Sequence, residues 1–168
     1  MYSASNASSK ILEAKPNIIR PKQEEKTDES VSRREQMLIY ILINHTKQAL
    51  NRLKENVELN CIKSEKNREI VKIIYDKCTE DENIEQILNL FESEEQINYI
   101  SGILAYDFEI TDIEKGIEDI EKNYKRESLI KKRDELTLKL NDTSLSRDEA
   151  LEVGKKLNDI IVELSKIK

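Results

Sequence analysis

Apolar residues recur along most of this chain at the three- and four-residue spacing of amphipathic helices, and hydroxyl residues punctuate the pattern. Ile84, Ile87, Leu88 and Phe91 occupy i, i+3, i+4 and i+7, one face of a helix. Four stretches have the form of a capping box, in which a hydroxyl oxygen takes the third amide of a helix and a Glu or Gln there reaches back. They are Ser32 to Glu35, Ser93 to Gln96, Thr111 to Glu114 and Ser146 to Glu149, and Ser64 is expected as a fifth N-cap. The spacing predicts short helices over about 33–44, 46–56, 64–79, 83–91 and 94–105. The first is apolar from Met37 to Ile43 without interruption, a run that a buried strand would also fit. Its capping box, and the lack of any partner strand, decide for a helix buried on most sides. Five short helices with apolar faces bury one another by forming a bundle, assigned to residues 31–125.

The chain changes character at Thr111. Only Gly116 interrupts the run to Leu140, so one helix of about 30 residues is expected. Ile113, Ile117, Ile120 and Tyr124 share a face, but beyond Arg126 the stripe restarts in another phase as Leu129, Leu136 and Leu140. A rod whose stripe jumps faces two surroundings. Its first half should pack on the bundle and its second should leave it. Asn141 to Ser144 turn the chain, and Ala150, Val153, Leu157, Ile160, Leu164 and Ile167 then give the 3,4 seam of an antiparallel pair. The expected fold is all-α: a compact helical bundle, then a long helix and a projecting antiparallel helical hairpin over 126–168. Residues 1–30 hold both prolines, many Ser, Asn, Glu and Lys and no sustained periodicity, and read as a flexible linker. A Met followed by such a stretch is expected of a piece of a longer protein.

Composition supports helices: 37% of residues are charged, and the chain holds 3 glycines, 2 prolines and no tryptophan. Sheets need turns rich in the first two. The net charge is −6. No segment is basic overall, since residues 1–31 carry 5 basic and 5 acidic side chains, 32–110 carry 10 and 15, and 111–168 carry 13 and 14. Direct nucleic-acid binding, which needs clustered Lys and Arg, is not expected. The longest apolar run is too short for a membrane span and no signal peptide opens the chain, so a cytoplasmic location is expected. Cys61 and Cys78 sit inside apolar patterns and read as small buried hydrophobes. With His45 as the one histidine, a four-ligand zinc site lacks ligands. Three scattered glycines make no phosphate loop. The acidic cluster Glu80, Asp81, Glu82 and Glu85 lacks a calcium-loop spacing and reads as a solvated helix start. No cofactor and no catalytic site are expected.

Several stretches resemble the C-terminal domain of bacterial DnaG-type primases. They are Ser32 through Leu42, with an Arg-x-Glu-x-x-Leu-x-x-x-Leu form; Asn67 to Ile70 through Tyr75; Asp107 to Ile113 leading into a long helix; and the closing Lys155 to Ile161. The resemblance covers residues 32–168 and is one of pattern and order. It implies a bundle similar to the N-terminal domain of the replicative helicase, followed by a hairpin that docks on a DnaB-type helicase while the bundle modulates it. The zinc module and polymerase core of such a primase are absent from this chain, so no primer synthesis is expected. The fragment should be monomeric alone.

A docking arm must show apolar surface off its own seam. On the last helix Leu151 and Val162 lie about 100° or more from the seam, with Lys155 and Asn158 near them. On the partner helix Leu138 points nearly opposite its seam and Ile130 sits at its flank, while Leu145 lies by the tip. These seven are the candidate contacts. The alternative is scattered surface apolars, with Leu145 a hydrophobic staple onto Ala150. Competing readings of the whole are the N-terminal domain of a replicative helicase or a loader subunit, a helical adaptor, and a small enzyme. The last helix, running to Lys168, is expected to close the chain, which favours the primase reading over the helicase one.

Overall fold

A computed structural model describes residues 29–167. Most of the proposed linker therefore lies outside the described residues. Among the described residues seven α-helices follow in order: α1 (Glu29–Asn44), α2 (Thr46–Asn56), α3 (Glu65–Lys77), α4 (Ile84–Leu88), α5 (Glu94–Leu104), α6 (Ile113–Leu140) and α7 (Arg147–Lys166). A 3₁₀ turn, Leu59–Cys61, precedes α3. Among the described residues there is no strand, and the fold is all-α.

The uninterrupted apolar run makes α1 the axis of the bundle. Leu38, Ile39, Ile41 and Leu42 are fully buried, and α1 packs against α2, α3, α4, α5 and α6. Burying each of these side chains is worth roughly 1.5–3 kcal/mol. Ile70, Val71 and Ile74 of α3, Leu53 of α2 and Ile100 of α5 close the core around it.

The helix starts show where local capping wins. Ser64 accepts from the Asn67 amide and Ser93 from the Gln96 amide, while Ser146 and Glu149 form the full reciprocal box. Ser32 does not cap: α1 begins at Glu29, placing Ser32 inside the helix. The reason lies in Glu35, which turns inward and is 2% exposed. Its carboxylate accepts from the amides of Lys63 at 2.6 Å and Ser64 at 3.3 Å and from Asn67 Nδ2 at 2.8 Å. An anion held where α3 begins is stabilised by the amides pointing at it and by the helix dipole. Tyr99 Oη donates to Asn67 Oδ1 at 2.9 Å, which joins α5 to the same network. At the start of α6 the cap is Asp112 rather than Thr111, its side chain accepting from the Lys115 amide. Asn83 and Gln86 form a capping box that starts α4, a helix that stops at Leu88 rather than near 91.

α6 joins the bundle through its first half. Gly116, Ile117, Ile120 and Tyr124 are buried. A Cβ on Gly116 would stand 3.4 Å from Ile110 Cγ2 and 3.5 Å from Ile41 Cδ1, so α6 runs close over α1 there. Arg52 of α2 ties the helix further, donating to Glu121 through Nε and Nη2 and to Glu114 through Nη1. Polar contacts continue past residue 125. Arg34 pairs with Glu127 at 2.5 Å, and Glu58 accepts from Ser128 Oγ at 3.0 Å and lies 3.4 Å from Lys132 Nζ. Beyond Lys132, α6 runs on for eight residues, about 12 Å at 1.5 Å per residue.

Candidate docking surface

The distal part of α6 and the whole of α7 form an antiparallel pair. Asp142 Oδ1 accepts from the Ser144 amide at 2.9 Å and hydroxyl at 2.7 Å, fixing the turn between them, and the Ser146–Glu149 box then starts α7. At the other end Lys125 pairs with Glu163 at 2.8 Å, so α7 returns alongside α6 almost to the bundle. Leu129 is buried, while Leu136 and Leu140 are half-buried. Opposite them Ala150, Val153, Leu157, Ile160, Leu164 and Ile167 are all half-buried. This is the seam that the 3,4 spacing implies. At 100° per residue its α6 side lies nearly opposite the face formed by Ile117, Ile120 and Tyr124. The change of phase near Arg126 thus matches a change of neighbour, from bundle to α7.

No residue of α7 is buried. Among the described residues six large hydrophobic side chains are exposed, and four of them lie on the arm: Leu138 at 72%, Leu151 at 65%, Ile161 at 49% and Val162 at 44%. The other two, Ile84 and Tyr106, are on the bundle. Side chains this open gain little from folding, because their apolar area stays in water.

The seven candidate contacts divide accordingly. Leu138, Leu151, Lys155, Asn158 and Val162 are exposed. Leu151, Lys155, Asn158 and Val162 project from one side of α7, whereas Leu138 projects from α6. Ile130 and Leu145 are half-buried. Ile161 was not among the candidates. It lies about 65° from the seam centre, and its apolar neighbour Ile160 belongs to the seam, so position alone gave it no separate signal.

The rest of the described surface offers little chemistry. His45 sits half-buried at the junction of α1 and α2, its ring 6.5 Å from that of Tyr40. Burial pushes the Cys78 thiol up to about 12, with Glu82 adding to the effect, and burial raises Cys61 as well. Thiols held protonated are poor nucleophiles. Burial likewise raises the Tyr75 and Tyr124 hydroxyls. Tyr75 Oη donates to the Leu53 carbonyl at 3.0 Å, and Tyr124 Oη is buried without a hydrogen-bond partner. Among the described residues no group of three or more His, Cys, Asp or Glu could hold a metal ion, and no helix is long and apolar enough to cross a membrane. An open groove where α2, α6 and α7 meet is lined by Asn56, Glu58, Glu121, Lys125, Lys132 and Glu163. Of these, Glu58, Glu121, Lys125, Lys132 and Glu163 are engaged in ion pairs. No family model, curated protein or solved structure matches the chain.

Proposed function

We propose that this chain is a protein-docking module whose helical arm engages a DnaB-type replicative helicase, bringing a primase to the replication fork and modulating the helicase. The observation that carries the docking reading is the concentration of exposed apolar side chains on the arm, away from its seam. Apolar area left in water on one element is a common mark of a contact surface. The choice of partner rests on the resemblance to the primase domain, which is one of pattern and order. In this reading the bundle supplies a rigid base, and α6 carries the contact face outward. The chain itself does no chemistry.

The test uses the full chain immobilised and a purified DnaB-type helicase from the same source. Retention of the helicase is expected. Replacing Leu151 and Val162 together by Asp should leave the circular dichroism unchanged and weaken capture about a hundredfold, the size expected when two central apolar contacts are lost. Helicase that fails to bind the unaltered chain contradicts the choice of partner.

A further inference from the structure

The stretch from α4 to the start of α6 is one-sided in charge. From Cys78 to Glu114 the chain carries eleven acidic side chains and no Lys or Arg. Two of these anions have cations from other parts of the bundle: Glu95 pairs with Lys66 at 2.9 Å and Glu114 with Arg52 at 2.7 Å. Asp107 and Glu109, just past the end of α5, are exposed. An excess of one sign within a region attracts a basic segment and repels an acidic one.

A groove lies in that region, between α5 and α1. Tyr99, Gly102 and Tyr106 form one wall and Gln36 lies in the other, around a space of about 320 Å³. Tyr106 is 48% exposed, and Gly102 has no heavy atom within 4 Å of the position a Cβ would take. Both rings are held in place. Tyr99 Oη donates to Asn67 Oδ1 at 2.9 Å and accepts from Gln36 Nε2 at 3.3 Å. The Tyr106 ring meets Phe108 edge-on at 4.8 Å and the Arg33 guanidinium at 5.3 Å. An aromatic notch with fixed walls and a glycine floor takes an aliphatic or proline side chain with little rearrangement. A second hollow, of about 600 Å³, shares Gln36 and Tyr106 and runs along α1 to Glu29, the first described residue. Glu29 and Arg33 line it with opposite charges, so the net field over the groove comes from the acidic stretch.

We propose that residues 15–22 of this chain, which lie outside the described residues, dock in this groove, with Ile18 and Ile19 seated over Gly102 between Tyr99 and Tyr106. The inference does not rest on the helicase reading. The segment, Lys-Pro-Asn-Ile-Ile-Arg-Pro-Lys, has three cations, no anion and both prolines of the chain. Ile18 and Ile19 are the first aliphatic side chains upstream of Val31. Ile19 and Glu29 are ten residues apart, a reach of up to about 33 Å. Glu29 to Gln36 is about 10 Å along α1, so the tether spans the distance with slack. Such a tether holds the segment at an effective concentration on the order of millimolar. Pro16 and Pro21 fix two φ angles and restrict the residues before them, so fewer conformations are lost on docking. A second copy offers the same segment without the tether.

The experiment attaches a nitroxide to Asn17→Cys in the full, isotope-labelled chain and reads paramagnetic broadening of the amide signals. The native thiols Cys61 and Cys78 are held protonated by burial, so the new cysteine reacts first. The amides of Gly102, Ile103 and Tyr106 should lose most of their intensity, while those of α7 keep theirs. Gly102→Leu fills the notch where a Cβ meets nothing, so circular dichroism should be unchanged and the lost intensity should return. Arg20→Glu with Lys22→Glu should also restore it, as should salt at about 1 M, which screens charges beyond about 3 Å. Broadening passed from nitroxide-bearing to nitroxide-free molecules in a mixture would give the groove to a second copy. Broadening of α7 in place of α5 would give the segment to the arm. Either result, full intensity throughout, or broadening that survives Gly102→Leu in a folded chain would overturn the proposal.

Discussion

The bundle and the arm use the same kinds of residues to opposite ends. In the bundle, α1 buries Leu38, Ile39, Ile41 and Leu42 completely, and even a carboxylate, Glu35, is taken inside and given three donors. In the arm, α7 buries nothing fully, although its seam is as regular as any in the chain. Two helices can cover only one side of each other. The remaining sides carry charged or apolar groups that stay exposed. On α7 both occur, interleaved on one side: Lys155 and Asn158 beside Leu151 and Val162. Stability in this molecule resides in the bundle, and the arm's outer residues contribute little to it.

The largest expected effect separates the two regions directly. Ile41→Ala should cost about 4 kcal/mol in urea denaturation, because a fully buried side chain leaves a cavity among rigid neighbours. Leu151→Ala should cost less than about 0.5 kcal/mol, since its side chain is already in water. An equal loss at both would erase the distinction. Glu35→Ala should come next, at about 3 kcal/mol, by leaving the Lys63 and Ser64 amides and the Asn67 side chain without their acceptor. Smaller and of opposite sign, Gly154→Ala should stabilise the arm by about 0.5–1 kcal/mol, read by hydrogen exchange along α7. A helical glycine with open space around it loses only backbone entropy by the change. Tyr124→Phe should change stability by less than about 0.5 kcal/mol despite full burial, because the hydroxyl removed has no partner to lose.

The smallest effect lies at the junction. Glu58 is held below the usual carboxylate range, first by the hydrogen bond from Ser128, then by Asn60 and Lys132. Its folded value is depressed, so its contribution is present above the unfolded glutamate value and fades as pH falls through the folded one. Protection from hydrogen exchange over residues 128–132, taken relative to the intrinsic rate at each pH, should fall on acidification through that range, and Glu58→Gln should flatten the response. The group is largely exposed, so salt should weaken the effect.

Much of this organisation was legible in the residues. The phase jump near Arg126 and the 3,4 seam from Ala150 to Ile167 depend only on spacing, and spacing fixes which side of a helix a residue occupies. Leu138, Leu151 and Val162 were placed off the seam by the same arithmetic. Capping was legible where the competition is local, as at Ser64, Ser93 and Ser146. It failed at Ser32 because Glu35 finds donors at Lys63, Ser64 and Asn67, about thirty residues away, which no local pattern encodes. At Thr111 two adjacent side chains compete for one role, and Asp112 takes it.

Docking through the arm is decided by where a partner touches. Hydrogen–deuterium exchange of the full chain, alone and with saturating purified helicase, measures this directly. Slowed exchange confined to the distal part of α6 and to α7, with α1 and α3 unchanged, is the predicted result. Protection confined to the bundle, with the arm exchanging as it does in the free chain, would contradict the account.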